Sequence, residues 1–303
     1  MKKLKLLISL HTSDNDFQRA QALSAQQAAD RLDIDAEISF ANNDAVDQST
    51  QLLKAIQNNR AESRPDAIIL EPVSGTALPQ VAKAACAAGI GWAVLNRSPD
   101  YVIELHKTAA VPVFTLSSDH VQIGRIQGQQ FGALLPRGGS ILYIEGPSHS
   151  SSAQKRTAGM LETKPSNIQL TMLKGLWTEE SAEKAVASWL KLATAQRAAI
   201  DLISAQDDSM ARGARKVFLG ILNEAERKRW LTLPFTGCDG QPKTGQAWIR
   251  EGWLSATIYV PPLAGQAIEI VAKSIWEGTR PPVHTLTESY SIPALDKLLA
   301  RKT

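Results

Sequence analysis

The stretch "DAIILEPVSGTALPQVAKAACAAGIGWAVLN" (Asp66–Asn96) decides the fold class. "DAIILEPV" is an apolar, β-branched run of strand length. "TALPQVAKAACAAG" follows as an alanine-rich helix that closes on Gly89, a usual place for the glycine after a helix C-terminus. "IGWAVLN" is then a second strand. Strand, helix and strand in about thirty residues form a parallel crossover unit.

The same alternation runs outward in both directions. Before this stretch, "LKLLISL" is a strand, and "DFQRAQALSAQQAADRL" a helix with Phe17, Ala20, Leu23, Ala28 and Leu32 near helical spacing. "DAEISFA" is a strand and "DAVDQSTQLLKAIQNN" a helix. After it, "VPVFTLSSD" is a fifth strand, and the pattern restarts with the helix "HVQIGRIQGQQFGALLP". Strands at "GSILYIEG", "IQLTMLKG", "AIDLISAQ", "LPFTGCDG" and "LSATIYV" alternate with helices at "SAQKRTAGMLE", "TEESAEKAVASWLKLA", "DSMARGARKVFLGIL" and "PKTGQAWIREG". A last long helix, "PPLAGQAIEIVAKSIWEG", precedes a short extended tail, "VHTLTESYSI". Strands that alternate with helices imply parallel sheets covered on both faces. About ten strands would crowd one open sheet, and 303 residues exceed one comfortable core. The expected fold is therefore α/β, with two doubly wound parallel-sheet lobes.

Composition narrows the function. Hydrophobic content of 44% with 21% charged residues is that of a soluble globular protein. The net charge of +3 comes from 33 basic and 30 acidic residues that are interspersed. No clustered basic face of the kind a nucleic acid needs is visible, so no nucleic-acid partner is expected. The two cysteines, Cys86 and Cys238, lie in a helix and at a strand end. They form no framework or C-x-x-C pair and are expected to be core or neutral. The opening "MKKLKLLISLHTSD" has lysines before an apolar run, but Leu6–Leu10 is shorter than a signal-peptide core of about 7–15 residues. It reads as a first buried strand.

Ligands of such sheets bind beyond the carboxyl ends of the strands, so those ends carry the chemistry. No P-loop, no G-x-G-x-x-G after the first strand and no G-x-S-x-G elbow occurs. The histidines His11, His106, His120, His149 and His284 lack metal-ligand spacing and read as surface or capping residues. No catalytic residue, metal or cofactor is expected. In "AQDDSM", Asp208 or Ser209 is expected to cap a helix and leave Asp207 for the site. Asp239, in "GCDG", could serve as a nucleophile, a metal ligand, a phosphate-site acid or a clamp for something uncharged. The strand ends also carry Asn15, Phe17, Asn96, Arg97, Ser118, Arg156 and Trp177. Amides, carboxylates and arginine forks hold hydroxyl groups, and flat rings suit the C–H faces of a sugar. This mixture points to a polyhydroxylated ligand that is held and not cut.

In order and spacing, these segments resemble the type I periplasmic binding proteins of the ribose-binding branch, which share their fold with the effector domains of lac-repressor-type regulators. The segments that carry the resemblance are "SDNDF", Asp66–Ile90, "VLNR", "SSDHVQIGRIQGQQF", "EGPSHSSSAQKRTAGM", "AQDDSMARGA", "FTGCDGQP", "IREGWLSATI" and "GQAIEIVAKSIWEG". The resemblance implies that Asn15, Phe17, Gln18, Asn96, Arg97, Ser118, Arg156, Trp177, Asp207, Asp239, Tyr259 and Val260 face a small ligand. Gln18 stands where a second aromatic is usual, and Asn96, Asp207 and Val260 replace family-typical groups. The implied ligand is a monosaccharide, cyclitol or amino-sugar.

The implied lobes are 1–117 plus 261–289 and 118–260 plus 290–303, joined by a three-strand hinge that closes on the ligand. The implied role is ABC-type uptake through a membrane permease, with a cytoplasmic sensing domain and its signalling partner as the alternative. The chain is expected to act as a monomer. As written it would be cytoplasmic, and with an export signal outside this sequence it would lie in the periplasm or cell envelope.

Overall fold

The computed structural model describes residues 3–73, 78–193, 195 and 198–298. The chain divides into two compact units, Met1–Ser118 with Pro262–Thr287 and Asp119–Pro261 with Glu288–Thr303.

The first unit is built on a parallel six-stranded sheet. Its strands are β1 (Lys5–Leu10), β2 (Asp35–Phe40), β3 (Ala67–Leu70), β4 (Gly91–Leu95), β5 (Val113–Ser118) and β11 (His284–Thr287). Their order is β11-β5-β4-β3-β1-β2. Successive side chains of a strand point to opposite faces, and both faces of this sheet are buried. Leu6, Ile8, Leu10, Ile69, Ala93 and Leu95 pack on one side against α1 (Asp16–Leu32) and α11 (Ala264–Glu277). Leu7, Ile68, Leu70, Trp92 and Val94 pack on the other side against α2 (Ala45–Ile56) and α3 (Pro79–Ala87). This arrangement is why the strands read as unbroken apolar runs.

The second unit has a parallel sheet of β6 (Gly139–Glu145), β7 (Ile168–Lys174), β8 (Leu202–Ala205) and β9 (Phe235–Thr236), in the order β7-β6-β8-β9. Leu142, Ile144 and Ile203 face α7 (Glu179–Leu190) and α8 (Asp208–Leu219). Ile141, Tyr143 and Leu202 face α5 (His120–Leu134) and α6 (Ser151–Thr163). A short helix, α10 (Gly245–Arg250), buries Trp248. A separate antiparallel pair joins β10 (Thr257–Tyr259) to β12 (Tyr290–Ile292). Single parallel bridges, Thr236 to Ala256 and Asp239 to Tyr259, continue β9 alongside β10.

The doubly wound reading holds in both units, and three local expectations need correction. A helix, α4 (Tyr101–Thr108), fills the interval between β4 and β5, where no element was expected. It has only eight residues, and of these only Val102 is buried, so its apolar stripe is too short to show periodicity. A further helix, α9 (Glu224–Leu231), carries the basic "ERKRW" run and buries Trp230. The extended tail is two strands that belong to different units, β11 beside β5 and β12 beside β10.

Helices α5 and α6 are brought together by glycine. A Cβ at Gly124 would strike the Arg156 carbonyl, and one at Gly159 would strike the Val121 carbonyl. Backbone therefore lies on backbone there, and the position of α6 depends on two missing methyl groups. Gly159→Ala should destabilise the protein by about 1–3 kcal/mol through overpacking, measured by denaturant unfolding. An unchanged midpoint would show that the helices can separate without loss.

Candidate functional site

In the first unit, the loops after β1, β3 and β4 carry most of the polar residues. Asn15 caps α1, with its side-chain oxygen accepting the Gln18 N–H at 3.1 Å. Phe17 is buried in the first turn of the helix. Gln18 turns inward: its Oε1 accepts the His11 N–H at 3.0 Å and its Nε2 donates to Glu71 Oε2 at 3.0 Å. The Gln18 amide is thus engaged within the frame of the unit. Asn96 ends β4 with φ of 55°, a left-handed conformation that asparagine tolerates better than most residues. Arg97 is buried and donates to the Asn96 carbonyl at 2.8 Å. Ser118, the last residue of β5, lies 3.2 Å from the Thr287 hydroxyl across the β5–β11 pair.

Two residues of this set were missed by sequence reasoning. His11 is buried, its Nε2 bonds the Pro72 carbonyl at 2.8 Å, and it is not the surface or capping histidine that was expected. Glu71 is buried and accepts from Gln18 and, at 3.4 Å, from Gln21. "EPVSG" marked a strand end, but nothing in one sequence shows which strand-end carboxylate turns inward.

In the second unit, Arg156 projects from α6 and is buried. It donates to the Gln206 carbonyl, lies 3.9 Å from Asp239 Oδ1, and sits over the Trp177 ring at 5.5 Å from the centroid. Burial works against its charge, and the Cys238, Asp239 and Asp207 side chains raise its pKa above the ordinary arginine value. Cys238 is itself pushed up by burial and stays a neutral thiol, so the two carboxylates supply the compensating charge.

Trp177 is half-buried with φ of 64°, and a Cβ at Gly146 would penetrate its indole. Asp207 is the cap of α8, its Oδ1 accepting the Met210 N–H at 2.6 Å. This corrects the expectation that Asp208 or Ser209 caps the helix. Asp208 instead binds the Gly240 N–H at 2.8 Å and the Thr257 hydroxyl at 2.7 Å. Asp239 has φ of 105°, well outside the comfortable range of a residue with a side chain. Val260 is buried and works through its backbone, its N–H donating to the Asp239 carbonyl at 3.1 Å. Tyr259 is half-buried, its ring 5.2 Å from that of Tyr290.

Gln206, also missed, is the hub of this unit. Its Nε2 reaches the Tyr143 hydroxyl, the Ala153 carbonyl and the Thr157 hydroxyl at 2.9–3.1 Å, and its Oε1 accepts the Gly146 N–H at 2.9 Å. One fully buried amide therefore ties β6, α6 and β8 together beneath Arg156 and Trp177.

The second unit also brings together a pair that spacing does not reveal. His120 Nε2 lies 3.0 Å from Ser152 Oγ, so a serine and a histidine meet, although no nucleophile–base couple was expected. Both are buried in the first turns of α5 and α6 and clasp the two helix starts. Among the described residues, no group of three or more His, Cys, Asp or Glu side chains could hold a metal ion, and no helix is long and apolar enough to cross a membrane.

With parallel sheets in two units and polar groups at their strand ends, residues 6–277 match the family described as "Periplasmic binding protein domain". The chain belongs to this family. It is 24% identical over 282 residues to the galactofuranose-binding protein YtfQ of Escherichia coli, an alignment covering 91% of this chain and 84% of that one. It is 26% identical over 216 residues to a putative rhizopine-binding protein of Rhizobium meliloti, covering 68% of this chain and 64% of that one. Among solved structures, it is similar in fold to a periplasmic solute-binding protein of an ABC transporter from Actinobacillus succinogenes with bound D-allose. The TM-score is 0.79 at 21% identity, covering 95% of this chain and 97% of that one.

The buried His11 predicts an acid sensitivity. Burial lowers its pKa below 6.5 and the Arg97 charge adds to this, while Glu71 opposes it. The unfolded chain therefore binds a proton at His11 before the folded one does. Stability is undiminished above pH 6.5 and falls as the pH drops below it. His11→Gln should flatten that fall in melting temperature between the two sides of pH 6.5. Parallel curves for the two proteins would refute the assignment to His11.

Proposed function

We propose that the chain binds a small, sugar-like polyhydroxylated ligand without turning it over, and does so for delivery to a membrane permease. The observation that carries this reading is the buried Arg156 guanidinium held between the Trp177 ring and the Asp239 carboxylate at the strand ends of a periplasmic binding protein domain. A guanidinium donates to several oxygens, a carboxylate accepts hydroxyl hydrogens, and an indole covers the apolar face of a sugar ring. Relatives named for galactofuranose and rhizopine, and a fold neighbour holding D-allose, support the same class. On this reading Asn15, Phe17, Gln18, Asn96, Arg97 and Ser118 are the ligand-facing residues of the first unit. We also propose that the protein works as a monomer.

A thermal-shift screen over monosaccharides, cyclitols and amino-sugars tests the ligand class. A ligand at 100 times Kd adds about 2.7 kcal/mol of stability. If another class shifts the melt and no polyol does, the class is wrong; release of a chemically altered sugar would overturn the non-catalytic reading. Arg156→Ala should abolish the shift.

Two substitutions at Asp239 separate the side chain from its backbone. Asp239→Ala should lose binding and keep the strained φ. Asp239→Gly should lose binding equally yet melt higher than the alanine variant, by about 1–3 kcal/mol of relieved strain. Equal melting of the two would show that φ is not strained.

Asp207→Asn tests whether the ligand bears an amino group. Asparagine caps a helix as well as aspartate does, so the cap should hold while one of the two carboxylate charges that offset Arg156 is lost. Amino-sugars should then bind at least about tenfold more weakly, a loss on the scale of a hydrogen bond to a charged group, while neutral sugars change little. Equal effects on both classes would argue against an amino group at Asp207.

A further inference from the structure

Asp239 is aimed by its backbone, and one residue holds that backbone on both sides. The Asp208 N–H donates to the Cys238 carbonyl at 2.7 Å, gripping the peptide that precedes Asp239. The Asp208 Oδ2 accepts the Gly240 N–H at 2.8 Å, gripping the peptide that follows. Of the two remaining polar groups of these peptides, the Asp239 N–H donates to the Ile258 carbonyl of β10 at 2.9 Å, and the Asp239 carbonyl accepts the N–H of Val260, just after β10, and the Gln241 side-chain amide at 2.9 Å. Asp208 also binds β10 itself, its Oδ1 accepting the Thr257 hydroxyl at 2.7 Å. The fully buried carboxylate thus fastens the start of α8, the 238–240 turn and β10 at one point. Gly237 and Gly245 leave room for it, since a Cβ at either would overlap its oxygens.

We propose that Asp208 is a positioning residue of the ligand site, holding Asp239 at its unfavourable φ and so setting where the Asp239 carboxylate points. The inference rests on the reading of Asp239 as a ligand contact. A carboxylate that merely stabilised the fold could be placed anywhere in the core; this one takes the peptide that follows the residue it would aim, while the backbone N–H of the same Asp208 takes the peptide that precedes it.

The test compares Asp208→Ala with Asp208→Asn in the full chain. Asparagine keeps one oxygen for the Gly240 N–H, and its amide donates to a Thr257 hydroxyl turned to accept. Calorimetric titration with D-allose and with myo-inositol, well below the melting temperature, gives affinity for folded protein only. The alanine variant should bind at least about tenfold more weakly, because a misaimed group loses most of its contact. The asparagine variant should stay within about threefold of the parent, because its geometry is preserved.

Hydrogen exchange of the 237–241 segment without ligand is the second readout. It should rise in the alanine variant, more than in β8, and return in the asparagine variant. Should the alanine variant not fold, Thr257→Val, which replaces the hydroxyl that binds Asp208 with a methyl group, takes its place with the same expectations. Parental affinity in the folded alanine variant, or unchanged exchange at 237–241, overturns the proposal. If neither probe nor any polyol binds the parent, the ligand reading fails, and the exchange measurement still decides whether Asp208 holds the turn.

Discussion

A guanidinium taken out of water must be matched where it lies, and Arg156 sets that requirement for the second unit. An unpaired buried charge costs several kcal/mol. The unit meets the demand with Asp239, Asp207, the Gln206 carbonyl and the Trp177 face. Each match then constrains something else. The Gln206 carbonyl is held because its own amide is saturated by Tyr143, Ala153, Thr157 and Gly146. Trp177 reaches the guanidinium because Gly146 has no side chain. Asp239 reaches it because the chain there accepts a positive φ. The cation is thus the organising charge around which the local sequence makes sense.

The first unit solves a similar problem with a carboxylate at its centre. Glu71 is buried at the end of β3 and is met by the amides of Gln18 and Gln21, with His11 close enough for its charge to be felt. Gln21 in turn accepts the N–H groups of Leu263 and Ala264 through its Oε1, which fixes the start of α11. Gln48 adds the Glu71 carbonyl and the Ser9 hydroxyl. Buried amides of this kind are favourable only when fully satisfied. They tie α1, α2 and α11 to the ends of β1 and β3.

The layered fold was legible because strand burial on two faces leaves a one-dimensional trace. Alternation of apolar and polar residues is not needed when Ile68, Ile69 and Leu70 are all apolar and all buried. Short, solvated helices leave no such trace, which is why α4 and α9 went unseen. Of the candidate site, the type of group at a strand end was legible, as with Arg156 and Asp239, which the structure brings within 3.9 Å of each other. The site was illegible where a role depends on partners far along the chain. Gln206 and Glu71 look like any polar strand-end residue until Tyr143 and Gln18 are placed beside them. Asp207 and Asp208 are adjacent buried carboxylates, and only the rotation of the first helical turn decides that one caps and the other binds Gly240 and Thr257.

That division of labour between two neighbouring aspartates bears on what the second unit can recognise. A carboxylate that caps a helix keeps its charge but surrenders one oxygen to the Met210 N–H. On the proposed reading, Asp207 would offer a ligand charge more than geometry, whereas Asp239, placed by its backbone, would offer geometry as well. Both carboxylates also offset the buried Arg156 charge. On the proposed reading, the groups that would meet a ligand are the ones that hold Arg156 in place, so the two roles cannot be altered independently.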